Sequence, residues 1–335
     1  MRTLVIGAGI SGISCARVLA DAGIPVRVAD RGRAIGGRMA SRWLPRSSTA
    51  GAPGGHVTDI GASYFTVKDP YFATSVQALA SAGVVRPWTD SFAVFEGGRI
   101  TGRRTGPMRY AAPAGLRSVV EALAEGIAVA SSTDLTSVHV DGAGLIEVDG
   151  QEVDAVALCM PGPQAHRLIS GTHPGAEAAR EAAMAMTWEP VIAVAAGFAE
   201  VCWDPFDGVF VNDDLPITWI ADDGARRGNA APVLVAHVAP SIAATCLDDP
   251  ERVREPALEA VRRVLSIEAR PDWVDVQRWT FARPTGASDD PCYLDRDLGL
   301  GLAGDAWAGG PRVEAAWCSG RALGQALAER LDARR

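Results

Sequence analysis

Lysine is almost missing from this chain: Lys68 is the only one in 335 residues, and arginine supplies nearly all of the 32 basic side chains. No basic run occurs, and 40 acidic residues leave a net charge of -8. That balance excludes a nucleic-acid backbone or an anionic membrane as the main partner. The six cysteines (Cys15, Cys159, Cys202, Cys246, Cys292 and Cys318) form no C-x-x-C pair, and five histidines offer no zinc-ligand spacing. We expect no metal, and read the thiols as small buried hydrophobes of a reducing, cytoplasmic compartment. No apolar run approaches the about 20 residues of a membrane span. The stretch from Thr3 to Ala20 behind Arg2 superficially resembles a signal peptide, but three ordered glycines interrupt it. What is present, 48% hydrophobic and 21% charged residues, suits a globular chain of two domains with a sizeable core.

Thr3 to Ile6 is a β-branched run that reads as a buried strand, and it leads into Gly7-Ala8-Gly9-Ile10-Ser11-Gly12 and an apolar helical pattern. Gly23 and Pro25 end that helix, and Val26 to Ala29 forms a second strand closing at Asp30. Arg46 to Gly55 is dense in Ser, Ala, Gly and Pro and is expected to be a mobile surface loop. Further on, the patterns predict helices over 71–83, 115–125, near 175–185 and near 250–266. They predict a hairpin over 92–101 turning at Gly97-Gly98, several strands over 129–158, and strands near 190–198, 208–212, 216–221, 232–238 and 273–282. A buried strand over 298–303 ends in Gly304-Asp305, and a long helix follows.

The G-x-G-x-x-G string has the context that gives it meaning: a strand before it, a helix opening within it, and an acid 18 residues beyond Gly12. Gly7 allows the tight turn, Gly9 lets backbone approach a pyrophosphate, and Gly12 lets helix and strand pack closely. The helix N-terminus at Ile10 and Ser11 then stabilises phosphates without lysine. Asp30, with Arg31 beside it, would meet the adenosine ribose. A second glycine pair, in Ile35-Gly36-Gly37-Arg38-Met39, suits a longer cofactor whose pyrophosphate is clamped from both sides.

Together these two motifs resemble the FAD-dependent amine oxidase superfamily among the glutathione-reductase-like flavoproteins. Thr58-Asp59-Ile60-Gly61-Ala62-Ser63-Tyr64-Phe65, Tyr110-Ala111-Ala112-Pro113-Ala114-Gly115-Leu116, Leu158-Cys159-Met160-Pro161 and Gly304-Asp305 are most similar to bacterial renalase-like oxidases. The resemblance implies an α/β fold: a Rossmann-like FAD-binding domain with a three-layer ββα arrangement plus a smaller α+β substrate domain with a mixed sheet. It assigns 1–69, 101–160 and 296–335 to the FAD domain, and 70–100 and 161–295 to the substrate domain. It also implies non-covalent FAD. Gly37, Arg38 and Met39 would contact the pyrophosphate, and Ile60, Gly61 and Ala62 would lie against the isoalloxazine ring. Val138 would hold the adenine through its backbone, and Asp305 the ribityl or pyrophosphate region. Arg312, Val313 and Ala316 would open a helix aimed at the flavin N1/O2 edge, where reduced flavin is anionic.

The same resemblance implies oxidation of dihydronicotinamide isomers, 1,2- or 1,6-dihydro-NAD(P), with O2 as acceptor giving H2O2 and NAD(P)+. His237, Arg283 and Tyr64 would be its catalytic residues, with Trp219 and Trp279 in the substrate pocket. An amine oxidase or a secondary-metabolite oxidase or desaturase is the alternative. Lys68, however, is not in the late strand region where amine oxidases of this group carry their lysine. A non-catalytic nucleotide-binding module is the alternative of another class, and the intact second glycine motif and Gly304-Asp305 argue against it. Oligomeric state is not legible in the sequence.

Overall fold

The computed structural model describes residues 2–45, 55–286 and 288–334; the loop expected over 46–55 therefore lies, Gly55 excepted, outside the described residues. The first sheet runs Tyr293–Asp295, Leu300–Leu302, Ala155–Leu158, Thr3–Ile6, Val26–Ala29, Val129–Ala130. All neighbours are parallel except the outermost Tyr293–Asp295 strand. Its central strands are continuously apolar because both faces are covered. On one face Val5, Val28, Ala155 and Ala157 meet the helices Ile10–Asp21 and Val313–Asp332. On the other, Ile6, Val156, Leu158, Leu300 and Leu302 pack on Val138, Val140, Ile146 and Val148. Those belong to a four-stranded sheet ordered Gln151–Val153, Ile146–Val148, Val138–Val140, Ile169–Gly171. The result is the expected ββα layering.

The two long helices cross almost backbone to backbone. A Cβ on Gly320 would sit 1.9 Å from the Ser11 carbonyl oxygen, and one on Gly324 would sit 2.7 Å from that of Cys15. The N-terminal and C-terminal segments are thereby locked together.

The second body is an eight-stranded sheet: Trp273–Thr285, Thr187–Gly197, Val233–Val238, Ile217–Asp222, Gly208–Val211, Arg86–Glu96, Arg99–Ala111, Phe65–Thr66. It is mixed, since Gly208–Val211 runs parallel to Arg86–Glu96 while the other pairs are antiparallel. Alternation divides its side chains. Ile192, Val194, Leu234, Ala236 and Val209 face the amphipathic helix Arg254–Leu265 through Leu258, Val261 and Val264. The opposite face, with Ala195, Val235, Phe92 and Trp219, meets Leu44, Ile60 and Tyr64 of the first body.

The expected domain boundaries need correction. The hairpin Arg86–Ala111 lies wholly in the second sheet, as does Phe65–Thr66, so a boundary at 100/101 cuts a continuous pairing. Helix Pro70–Ser81 instead buries Phe72, Val76 and Leu79 in the core under the two long helices. Strands Ile169–Gly171 and Tyr293–Asp295 complete first-body sheets. Long-range strand pairing decides these memberships, and local pattern does not report it.

Candidate active site

Thr3–Ile6 ends at Gly7, whose φ of +106° is open to glycine alone; a Cβ there would stand 2.4 Å from the Cys159 carbonyl oxygen. A Cβ on Gly12 would lie 1.8 Å from the Gly7 carbonyl oxygen. Gly9 is the opposite case: a Cβ there meets nothing within 4 Å. The helix starting at Ile10 has no side-chain cap and no acid in its first turn, and the buried Ser11 hydroxyl has no partner. Free N–H groups around an open concavity form an anion cradle that needs no cation.

The second glycine motif closes on the first. Gly36 donates its N–H to the Ala8 carbonyl at 2.9 Å, and a Cβ on Gly37 would lie 3.3 Å from the Gly9 Cα. Met39 anchors this loop in the core. Asp30 accepts N–H bonds from Ala8 and Gly32, both at 2.6 Å, which holds its carboxylate beside the cradle; Arg31 is exposed. Arg38 reaches across to the Asp305 carboxylate with two bonds, 2.8 and 2.6 Å, and lies over Trp188. Gly304, just before Asp305, is open in the way Gly9 is. Nearby, Val313–Asp332 begins after Arg312 with no side-chain cap, with Val313 partly buried and Ala316 buried. Val138 does not fit its expected role. It is paired on one side with Val148 and on the other with Ile169, so no strand edge is free there for an adenine.

The Ile60-Gly61-Ala62 segment continues from Arg38. Ala62 donates to the Arg38 carbonyl at 2.9 Å, and a Cβ on Gly61 would lie 2.0 Å from the same oxygen. Trp279 donates its indole N–H to the Ile60 carbonyl at 2.6 Å. His237 donates to the Gly61 carbonyl, and its Nε2 is enclosed with no partner. Burial, with the Arg226 charge second, pushes this imidazole down to about 4 against the Gly61 bond, so His237 is neutral at physiological pH. His237 stands opposite Trp219 in the sheet, and Trp219 donates to the Ser63 hydroxyl at 3.1 Å. Tyr64 packs on Trp219, Trp88 and Phe92 with ring centroids 5.3–6.2 Å apart. His237, Tyr64, Trp219 and Trp279 therefore gather around one segment. Arg283 does not join them: its exposed side chain pairs with Glu189 at the sheet edge, as an arginine on a solvated face does.

Several residues here escape sequence reasoning. Arg226 is fully buried, donates to the Ser63 carbonyl at 2.9 Å, pairs with Asp223, and lies 3.8 Å from Asp59. Burial raises the Asp59 carboxyl, with Arg226 the main opposing influence. Ser41 and the Leu116 N–H also bind it, at 2.5 and 2.8 Å. Glu314, buried at the start of the last helix, accepts the N–H groups of Lys68 and Asp69. Asp59 lies within the Thr58–Phe65 motif without a role visible in it, whereas Asp222-Asp223-Gly224-Ala225-Arg226-Arg227 looks in sequence like a solvated charge run.

Comparison with known proteins agrees with this geometry. Residues 5–79 match the NAD(P)-binding Rossmann-like domain family. Residues 92–327 match the flavin-containing amine oxidoreductase family. Cyclohexylamine oxidase from Brevibacterium oxydans IH-35A has a similar structure, with a TM-score of 0.74, 14% identity, and 99% of each chain covered. A putrescine oxidase redesigned in its cofactor binding is also similar, with a TM-score of 0.69, 15% identity, and 98% of this chain and 99% of that one covered. The two uncapped helix starts, the open faces at Gly9 and Gly304 and the orphaned Ser11 hydroxyl fit an extended dinucleotide. The chain belongs to the flavin-containing amine oxidoreductase family and is an oxidoreductase whose cofactor is FAD.

Proposed function

We propose that this enzyme oxidises dihydronicotinamide isomers, 1,2- or 1,6-dihydro-NAD(P), to NAD(P)+, with O2 as final acceptor giving H2O2. FAD supplies the two-electron acceptor at its N5 and passes the electrons on. The observation that carries the reading is the neutral His237, bonded to the Gly61 carbonyl with Nε2 unpartnered. A dihydropyridine gains aromaticity on losing hydride, so it needs orientation rather than a strong base. Nε2 would accept an N–H bond from the carboxamide, and Tyr64, Trp219 and Trp279 would wall the ring in. The buried, unpaired cation Arg109 opposes an ammonium substrate at this place. Six unpaired thiols fit a cytoplasmic setting.

Anaerobic stopped-flow mixing of the flavin-loaded enzyme tests this. Rapid bleaching by 1,2-dihydro-NAD(P), and none by cyclohexylamine or putrescine, is expected. Bleaching by an amine alone would replace the reading with amine oxidation.

A further inference from the structure

Among the described residues, buried arginines are compensated, with one exception. Arg226 and Arg227 pair with Asp223, and Arg330 donates to the carbonyls of Asp154, Arg296, Asp297 and Leu298. Arg109, 7% exposed, has no carboxylate within ion-pair distance among the described residues. It stacks over Phe92 at 4.3 Å and bonds the Tyr64 hydroxyl, while its Nε and Nη1 are enclosed without partners. A guanidinium held this way keeps a large part of its desolvation cost unrelieved. Its Nη2 packs against Gly106, where a Cβ would stand 2.9 Å away, so glycine makes room for the guanidinium. Tyr64 separates it by one side chain from the Gly61-Ala62 segment.

We infer that Arg109 is the receptor for an oxyanion of the reducing substrate, bound on the far side of Tyr64 from the Gly61-Ala62 segment. Given the proposed function, on which this identification rests, that oxyanion is a phosphate of the dihydronicotinamide nucleotide; a carboxylate shares the chemistry. The reacting ring then lies by His237 while the anionic tail is held at the base of the Arg86–Ala111 hairpin. Removing one charge-assisted bond of this kind weakens binding about 10- to 100-fold.

Two measurements test it. Calorimetric titration of the flavin-loaded enzyme with inorganic phosphate, and separately with benzoate, should show one site. R109M should weaken it 10- to 100-fold and R109K only in part, while the exposed-strand control R104M leaves it unchanged. Binding of benzoate but not phosphate would assign a carboxylate instead. R109M should also keep its FAD and melt no lower than wild type, because an uncompensated cation is removed; an arginine serving structure alone would lower the melting temperature. With 1,2-dihydronicotinamide mononucleotide and its riboside as substrates, the wild-type preference in kcat/KM for the nucleotide should vanish in R109M. If neither compound reduces the flavin, the proposed function fails while the anion titration still decides this site. Equal anion binding by wild type and R109M, or none by wild type, overturns the inference.

Discussion

His237 makes the fold sensitive to acid in a way that one substitution should remove. In an unfolded chain its imidazole titrates near the ordinary value of 6.5, whereas in the folded protein it is held down to about 4. The unfolded state therefore binds the extra proton throughout the window between these values. Above pH 6.5 neither state is charged, and His237 adds no pH dependence. As pH falls, the penalty grows to about 2 kcal/mol at pH 5 and about 3 kcal/mol at pH 4, where it levels off. Urea unfolding of flavin-loaded wild type and H237Q at intervals from pH 8 to 4 measures it. The raised carboxyls of Asp59 and Asp222 titrate in both proteins and largely cancel in the difference. Wild type should lose about 2 kcal/mol relative to H237Q between pH 7 and 5. A difference flat across that range would mean the imidazole is solvated or charged, and would remove the neutral acceptor from beside Gly61.

Gly9→Val should fold, since a Cβ there meets nothing, yet purify colourless; Gly12→Val should lose the fold itself, since its Cβ strikes the Gly7 carbonyl. Circular dichroism with flavin absorbance separates the two outcomes, and a yellow Gly9→Val protein would place the dinucleotide elsewhere. Arg226→Met strands Asp59 in the interior, leaves Asp223 with Arg227 alone, and should cost about 3–5 kcal/mol in urea unfolding. A loss under about 1 kcal/mol would show those carboxyls already protonated. Arg38→Met leaves Asp305 unpaired beside the pyrophosphate cradle and should weaken FAD binding about 100-fold or more by ultrafiltration.

The cofactor half of the site was legible because its signals are local. A glycine whose side chain would strike a carbonyl cannot change freely, so Gly7, Gly12 and Gly61 mark the backbone path. The helix starts at Ile10 and Val313 are visible as apolar periods. The substrate half depends on the sheet. That His237 stands opposite Trp219, or that Arg226 reaches Asp59 across 167 positions, follows from pairings made over long sequence distances. Val138 shows the converse: its strand was placed correctly, but its second neighbour, Ile169, lay beyond any local pattern. Arg109 looked like one more member of an arginine-rich exposed strand, and only burial sets it apart.

The buried charges joining Asp59 to Arg226 and Asp223 have a kinetic consequence. Swinging the two bodies apart would separate opposite charges that water does not reach, at a cost that makes wide hinge opening rare on the scale of turnover. Substrate traffic must then rely on small local displacements, such as rotation of the Tyr64 ring or bending at the root of the hairpin. The two halves behave as a welded joint with a narrow door.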